Sequence, residues 1–328
     1  MKAFLSGVAS LKIVISLHKF FKGKARDIID ILFIPIYLIF YPFIALSRPK
    51  DKETYKYKLG ICLIVKNEAS YIKEWIDYYK LIGADILFIY DNDSTDNLKK
   101  ILEPYIKSGL VIYHQIPGSS RQLDAYNICI KTYRKDCQYI GFYDIDEFVY
   151  LDPSKKLVDI IDDHFKRSAD VGGLALNWLI FGSSYQQSST SELVIERFKY
   201  RSDVNFEKNL HIKSIVNPRK VLVFRNPHFP YFIKGFANYS LTGEKVEDAF
   251  TSSVYDEVRI NHYFTKSKEE FVKKKSKGFA DKLGERDMNN FIEHDCNEVF
   301  DDSMNPYIAI LNPVTTRANK NNTNRRRK

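Results

Sequence analysis

The sequence predicts an α/β protein built on a mainly parallel, Rossmann-like sheet. Three observations carry that reading. Four apolar strand-like runs alternate with three amphipathic helix-like runs between residues 59 and 143, turn residues punctuate them, and polar clusters recur at the strands' carboxyl ends. Strands joined through helices run parallel, because a parallel pair needs a crossover of about a dozen residues or more.

Residues 59–65 (Leu-Gly-Ile-Cys-Leu-Ile-Val) make the first strand. Residues 69–82 follow as a helix, since Ile72, Trp75, Tyr79 and Ile82 fall on one stripe and Gly83 stops it. Residues 86–90 are the second strand, after which Asp91-Asn92-Asp93-Ser94-Thr95-Asp96 opens a helix carrying Leu98, Ile101, Leu102 and Tyr105. Ser108-Gly109 closes that helix. Residues 110–113 are the third strand, Pro117-Gly118-Ser119-Ser120 a loop, and residues 121–133 the third helix. Tyr139, Ile140, Phe142 and Tyr143 form the fourth strand, uncharged as a strand buried on both faces should be.

Lys66-Asn67-Glu68, Asp91-Asn92-Asp93 and Asp144-Ile145-Asp146 therefore collect at one edge of the sheet, where open α/β sheets bind ligands. In the last cluster, alternation along an extended chain would turn Asp144 and Asp146 to the same side. Two converging carboxylates need a counter-charge, and a hard divalent cation carrying a diphosphate would supply it. A surface turn with two solvated carboxylates is the plainer alternative.

With 328 residues, 45% of them hydrophobic and 14% aromatic, the chain can bury one large core or two modest ones. The net charge of +9 favours anionic partners, such as nucleotide diphosphates or acidic lipid headgroups, or reflects a lysine-rich composition alone. Nucleic acid is not the expected partner, because the remaining argument for it is the tail Arg325-Arg326-Arg327-Lys328, which reads as disordered from Asn312 onward. Cys62, Cys129, Cys137 and Cys296 lack zinc or redox spacing and suit a reducing compartment. Neither G-x-x-x-x-G-K-[ST] nor G-x-G-x-x-G occurs, which argues against a P-loop nucleotidase and a dinucleotide-dependent dehydrogenase.

The first 57 residues read as a separate membrane-associating segment and linker. Residues 31–46 carry no charge, yet sixteen residues are fewer than the roughly 20 that a spanning helix needs. Lys12, Lys19, Lys22, Lys24 and Arg26 precede them, the first of these interleaved with apolar residues, as in an interfacial helix on an anionic membrane. A span and packing onto the protein's own body remain alternatives. Residues 48–58 are a polar linker, 58–282 the main domain, and 283–328 a C-terminal extension.

The motifs Cys-Leu-Ile-Val-Lys-Asn-Glu (62–68), Trp75-Ile-Asp-Tyr-Tyr, Tyr90-Asp-Asn-Asp-Ser-Thr-Asp, Phe142-Tyr-Asp-Ile-Asp-Glu-Phe, Asn177-Trp-Leu-Ile-Phe-Gly-Ser-Ser and Arg259-Ile-Asn-His-Tyr-Phe occur in this order. Together they resemble a GT-A glycosyltransferase of the family 2 type, and most of all the family 92-like group. The resemblance implies a GT-A fold, a nucleotide-sugar donor such as a UDP-sugar, a glycan or lipid-linked acceptor, and Mn²⁺ or Mg²⁺. It implies that Asn67, Glu68, Asp91 and Asp93 line the nucleoside pocket, that Asp146 binds the metal, that Asp144 faces the ribose or a metal-bound water, and that Arg121 reaches the base or diphosphate. Asn67 and Asp93 also read as helix caps, and Arg121 as a helix-start side chain. His262 shares a strand face with Val258, Ile260 and Phe264, so residue pattern alone makes it a core histidine; the resemblance makes it the third metal ligand. Ser267-Lys268-Glu269-Glu270 reads as a capping box opening a helix to Lys277 that Gly278 ends; Lys266 and Lys268 are phosphate candidates, and Lys273-Lys274-Lys275 a solvated face.

For an inverting transfer a carboxylate must take the acceptor's proton, and Glu196, Asp203 and Glu207 are the candidate bases. His211 and Lys213 are further polar candidates for donor or acceptor contact. Two other functions fit parts of the pattern. One is a haloacid-dehalogenase-like phosphohydrolase with Asp144 as nucleophile and Asp301-Asp302 as distal metal pair, although three strands precede Asp144 here. The other is a non-catalytic membrane-tethered binding module. The expected location is the cytoplasmic face of a membrane, in surface polysaccharide assembly.

Overall fold

The computed structural model describes residues 28–29, 31–252, 257–275, 277, 284 and 286–312. The basic stretch from Lys12 to Arg26, the helix end at Gly278 and the tail after Asn312 lie outside these residues.

After a first helix α1 (Ile34–Leu46), the chain alternates as β1 (Tyr57–Val65), α2 (Ala69–Leu81), β2 (Ile86–Asp91), α3 (Leu98–Lys107), β3 (Val111–Gln115), α4 (Gln122–Tyr133) and β4 (Cys137–Phe142). The pairs β1–β2, β1–β4 and β2–β3 are all parallel, as the sequence pattern requires. Alternate residues of β1 feed two cores: Leu59, Ile61 and Leu63 pack with α2 and α3, while Cys62 and Ile64 pack with Tyr126, Cys129 and Ile130 of α4. Gly83, at φ 104°, supplies the left-handed residue that ends α2.

Beyond β4 the sheet becomes mixed, which the sequence pattern did not reveal. β5 (Glu147–Leu151), α5 (Leu157–Lys166), β6 (Val171–Ile180), a short helix α6 (Val194–Arg197) and β7 (Tyr200–Arg201) lead to β8 (Ile212–Val216). β8 slots antiparallel between β4 and β6. The hairpin β9 (Val221–Phe224) and β10 (Pro230–Phe232) follows, then β11 (Ala237–Ser240), β12 (Lys245–Val246) and β13 (Val258–His262). β13 lies parallel to β6 and antiparallel to β5, opposing His262 to both Ile180 and Glu147.

α7 (Lys268–Lys275), α8 (Met288–His294), β14 (Val299–Phe300) and α9 (Asn305–Leu311) complete the described chain. β14 pairs with β7, and Met304, Tyr307 and Ile308 belong to the main core. The expected capping box at α7 is present, with the Glu270 amide donating to Ser267 Oγ at 3.3 Å and the Ser267 amide donating to Glu270 Oε2 at 3.1 Å.

The segment read as a polar linker is tied down. Asp51 pairs with Arg219 Nε at 2.5 Å and Lys220 Nζ at 3.0 Å, and Tyr55 lies under the Arg219 guanidinium. Arg219 is itself buried, its other nitrogens donating to the carbonyls of Arg134, Cys137 and Gln138. α1 exposes Ile36, Leu38, Ile39, Phe43 and Leu46, and Tyr41 Oη accepts the Lys234 amide. Among the described residues no helix is long and apolar enough to cross a membrane.

Candidate active site

The aromatic stripe of α2 positions the Asp144–Glu147 turn. Trp75 Nε1 donates to Asp144 O at 3.1 Å, Tyr79 Oη to Glu147 O at 3.1 Å and Tyr78 Oη to Val149 O at 2.8 Å. Each of these rings is buried yet keeps its polar atom satisfied, so the packing that stabilises the core also fixes the turn.

Asp144 and Asp146 do not sit on extended chain. β4 ends at Phe142, and a turn closed by Glu147 N donating to Asp144 O at 3.1 Å brings both carboxylates to one cavity. The cavity, about 330 Å³, opens at the carboxyl ends of β1, β2 and β4. The turn, and not strand alternation, therefore makes Asp144 and Asp146 converge.

Asp146 is buried on one side of the turn. Its Oδ2 accepts from Lys274 Nζ at 2.5 Å, and its Oδ1 lies 3.6 Å from His262 Nε2. Burial alone would raise its pKa, but Lys274 and His262 outweigh that and hold it well below the usual carboxylate range. Burial lowers His262 below its ordinary value despite Asp146, so the imidazole is neutral at pH 7. Lys274 is pushed down to about 8 by the same burial, against the pull of Asp146. The expectation of a solvated Lys273–Lys275 face holds for Lys273 and is overturned for Lys274, which points into the fold over the Phe264 ring.

Asp144 is held differently. Oδ2 accepts from Lys213 Nζ at 2.8 Å and Oδ1 from Gln122 Nε2 at 2.7 Å. Lys213 is fully buried; burial would lower its pKa, but Asp144 and Glu147 raise it well above the usual value, so it is a cation beneath the cavity floor.

The other sequence candidates divide. Glu68 lines the cavity and pairs with Lys277 at 2.8 Å. Asn67, Asp91 and Asp93, expected to line the nucleoside pocket, are not part of the cavity lining and spend their side chains stitching turns together. Asn67 Oδ1 accepts the Thr95 amide, Asp91 accepts Ser94 N and Tyr113 Oη, and Asp93 accepts Gly118 N. Asn67 and Asp93 adopt φ of 55° and 59°, so they are turn residues rather than helix caps. Arg121 pairs with Asp124 on its own helix at 2.6 Å, and its neighbour Gln122 faces the cavity instead. Lys266 stacks on the Tyr71 ring and Lys268 is exposed, so the lysines that line the cavity are Lys66, Lys274 and Lys277.

None of the three candidate bases lines the cavity. Glu196 faces Asn312, Glu207 pairs with Lys208, and Asp203 caps the Asn205 amide. Asp301 is bound by Arg201 and Arg259, outside the cavity lining, so it cannot act with Asp144 as a phosphohydrolase's distal metal pair. Cavity-lining residues that the sequence reading did not assign are Ser119, Ser120, Gln122, Trp178, His228 and Arg286, whereas Asn92 came from a cluster it had placed at this edge.

A divalent cation fits this donor set in a limited way. Among the described residues no three His, Cys, Asp or Glu side chains form a metal cluster. Asp146 and His262, whose Oδ1 and Nε2 face each other at 3.6 Å and which both line the cavity, are the carboxylate and imidazole that would hold the ion. Few protein ligands, with phosphate oxygens filling the remainder, is the usual arrangement for a nucleotide-bound Mg²⁺.

The family model of glycosyltransferase family 92 matches residues 57–300. The chain belongs to glycosyltransferase family 92. This family 92 chain is 32% identical over 125 residues to a family 92 protein of Ricinus communis, covering 38% of this chain and 22% of that protein. It is 29% identical over 131 residues to a galactan β-1,4-galactosyltransferase of Arabidopsis thaliana, covering 36% and 26%. It therefore spans less than a third of the length of these relatives. Among solved structures, residues 1–349 of S. aureus TarS align over 49% of this chain and 47% of that chain, at 17% identity and a TM-score of 0.35.

Proposed function

We propose that this family 92 chain transfers a sugar from a UDP-sugar to a glycan or lipid-linked acceptor, with the donor diphosphate seated at Asp146. The observation that carries this reading is the convergence of Asp146, His262, Lys274 and Lys277 in one cavity at the sheet's carboxyl edge. Anionic diphosphate is what two lysines, a metal-binding pair and the ends of parallel strands suit together. The galactan galactosyltransferase relative makes galactose the first sugar to try.

Asp146 and His262 would hold Mn²⁺ or Mg²⁺, which when bound supplies Lewis-acid neutralisation of the departing nucleotide. The chain's own part is electrostatic positioning. Lys274 and Lys277 offset the charge on the leaving diphosphate from the α7 side. Lys213 and Gln122 fix Asp144 in one orientation at the cavity floor, available to ribose hydroxyls. His262 stays neutral and so keeps a lone pair for coordination.

The exposed apolar face of α1 and the basic residues before it support attachment to an anionic membrane surface, on its cytoplasmic side, and a role in surface polysaccharide assembly. Flotation with phosphatidylglycerol vesicles tests the attachment, which should weaken when Ile39 and Phe43 become Glu. The transferase reading is tested by incubating the chain with UDP-sugars and Mn²⁺ and measuring released UDP. Asp146→Ala and metal chelation should each abolish release; full turnover under either condition would refute the reading.

A further inference from the structure

Along the sheet the neighbouring strands run β2, β1, β4, β8, β6. The cavity lining follows the same order, with Asn92 and Glu68 beyond β2 and β1, Asp144 and Asp146 beyond β4, and Trp178 on β6. A nucleoside diphosphate sugar has that linear order too: nucleoside, two phosphates, sugar ring. With the diphosphate at Asp146, the next group away from β1 meets the wall made by Trp178, Pro227 and His228.

That wall is a packed cluster of rings. The Trp178 indole stacks on His211 with centroids 4.8 Å apart and planes 17° apart, and His211 is backed by Phe250 at 4.5 Å. His228 meets the indole edge-on at 4.9 Å, and His262 approaches it at 4.2 Å, which joins the wall directly to the proposed diphosphate site. Trp178 is only 7% exposed, yet its Nε1 has no hydrogen-bond partner among the described residues. His228 Nδ1 donates to Ile212 O at 3.2 Å, which leaves Nε2 of the neutral ring as an acceptor. An aromatic wall and an unused lone pair match a pyranose, which offers an apolar C–H face and hydroxyls at its rim.

Resting on the donor-pocket reading above, we propose that Trp178 and His228 form the subsite that binds the hexose ring of the donor and selects among sugars. Trp178 forms the apolar wall against the ring, while His228 Nε2 accepts from a hydroxyl.

Isothermal titration of the full chain with Mn²⁺ tests this, using UDP and then whichever of UDP-galactose, UDP-glucose and UDP-N-acetylglucosamine binds most tightly. In Trp178→Ala and His228→Ala, UDP affinity should stay within about twofold of wild type while sugar-nucleotide affinity falls about tenfold and about fivefold, with partial recovery in Trp178→Phe. Thermal melting of each variant checks the fold, and Trp178→Phe and His228→Ala keep the test open if Trp178→Ala does not fold. Loss of UDP and sugar-nucleotide affinity in parallel, unchanged affinity for both, or a change confined to the acceptor's KM would overturn the assignment. Wild-type protein that binds no UDP would instead remove the donor-pocket reading, and this subsite with it.

Discussion

Lys213 Nζ lies 2.8 Å from Asp144 Oδ2 and 3.6 Å from Glu147 Oε2, with the lysine and Glu147 side chains fully buried. A lysine carried by the antiparallel strand β8 therefore neutralises the turn that presents the cavity's carboxylates. Lys213→Met would leave buried acidic oxygens without a cation. Urea unfolding should find it destabilised by about 3 kcal/mol, in the range for breaking a buried pair from one side. A change below about 1 kcal/mol would mean that the turn is held mainly by Trp75 and Tyr79.

The pair Arg197–Glu270 predicts how stability depends on pH. Both side chains are 2% exposed, and the guanidinium makes two bonds to the carboxylate at 2.7 and 2.9 Å. Burial raises the Glu270 pKa, but Arg197 and Ser267 outweigh it and hold the group at about 2, below its ordinary 4.5. The folded value lies below the unfolded one, so the contribution is complete above about pH 4.5 and is lost as pH falls toward 2. The gap corresponds to something on the order of 3 kcal/mol. Thermal melts should show the wild type losing stability more steeply between pH 4.5 and 3 than the double variant Arg197→Met/Glu270→Gln.

Docking of residues 48–56 is a further expectation that proteolysis can check. Asp51 carries a pKa of about 2, since the bonds from Arg219, Asn217 and Lys220 outweigh burial, and it anchors a segment rich in trypsin sites. Asp51→Ala should increase cleavage at Lys50 and Lys52 about fivefold or more by freeing the local backbone, with the melting temperature of the body little changed. Equal cleavage in both proteins would return the segment to the linker that its composition suggested.

Much of the fold was legible because β1 to β4 are short apolar runs separated by helices with clear stripes, and local pattern is enough to read such units. β8 was not legible, since a strand that inserts between β4 and β6 is fixed by distant partners. Asp144, Asp146 and His262 were found through motif and resemblance, and the cavity joins them. Arg121 was chosen one residue away from Gln122, because charge drew attention where helix phase decides which side chain faces inward. Lys274 was hidden inside a triple-lysine run, and only the fold of α7 over the Asp146 turn separates it from its solvated neighbour Lys273. Trp178 and His228 carried no charge pattern, and their meaning lies in a cluster of rings drawn from β6 and the loop between β9 and β10.

The most direct measurement is equilibrium binding of UDP to wild type and Asp146→Ala, each in Mn²⁺ and in EDTA. A cation held between Asp146 and the diphosphate predicts tight binding by the wild type in Mn²⁺ alone, with affinity falling about a hundredfold in EDTA or in the variant. Equal UDP affinity in all four conditions would contradict it.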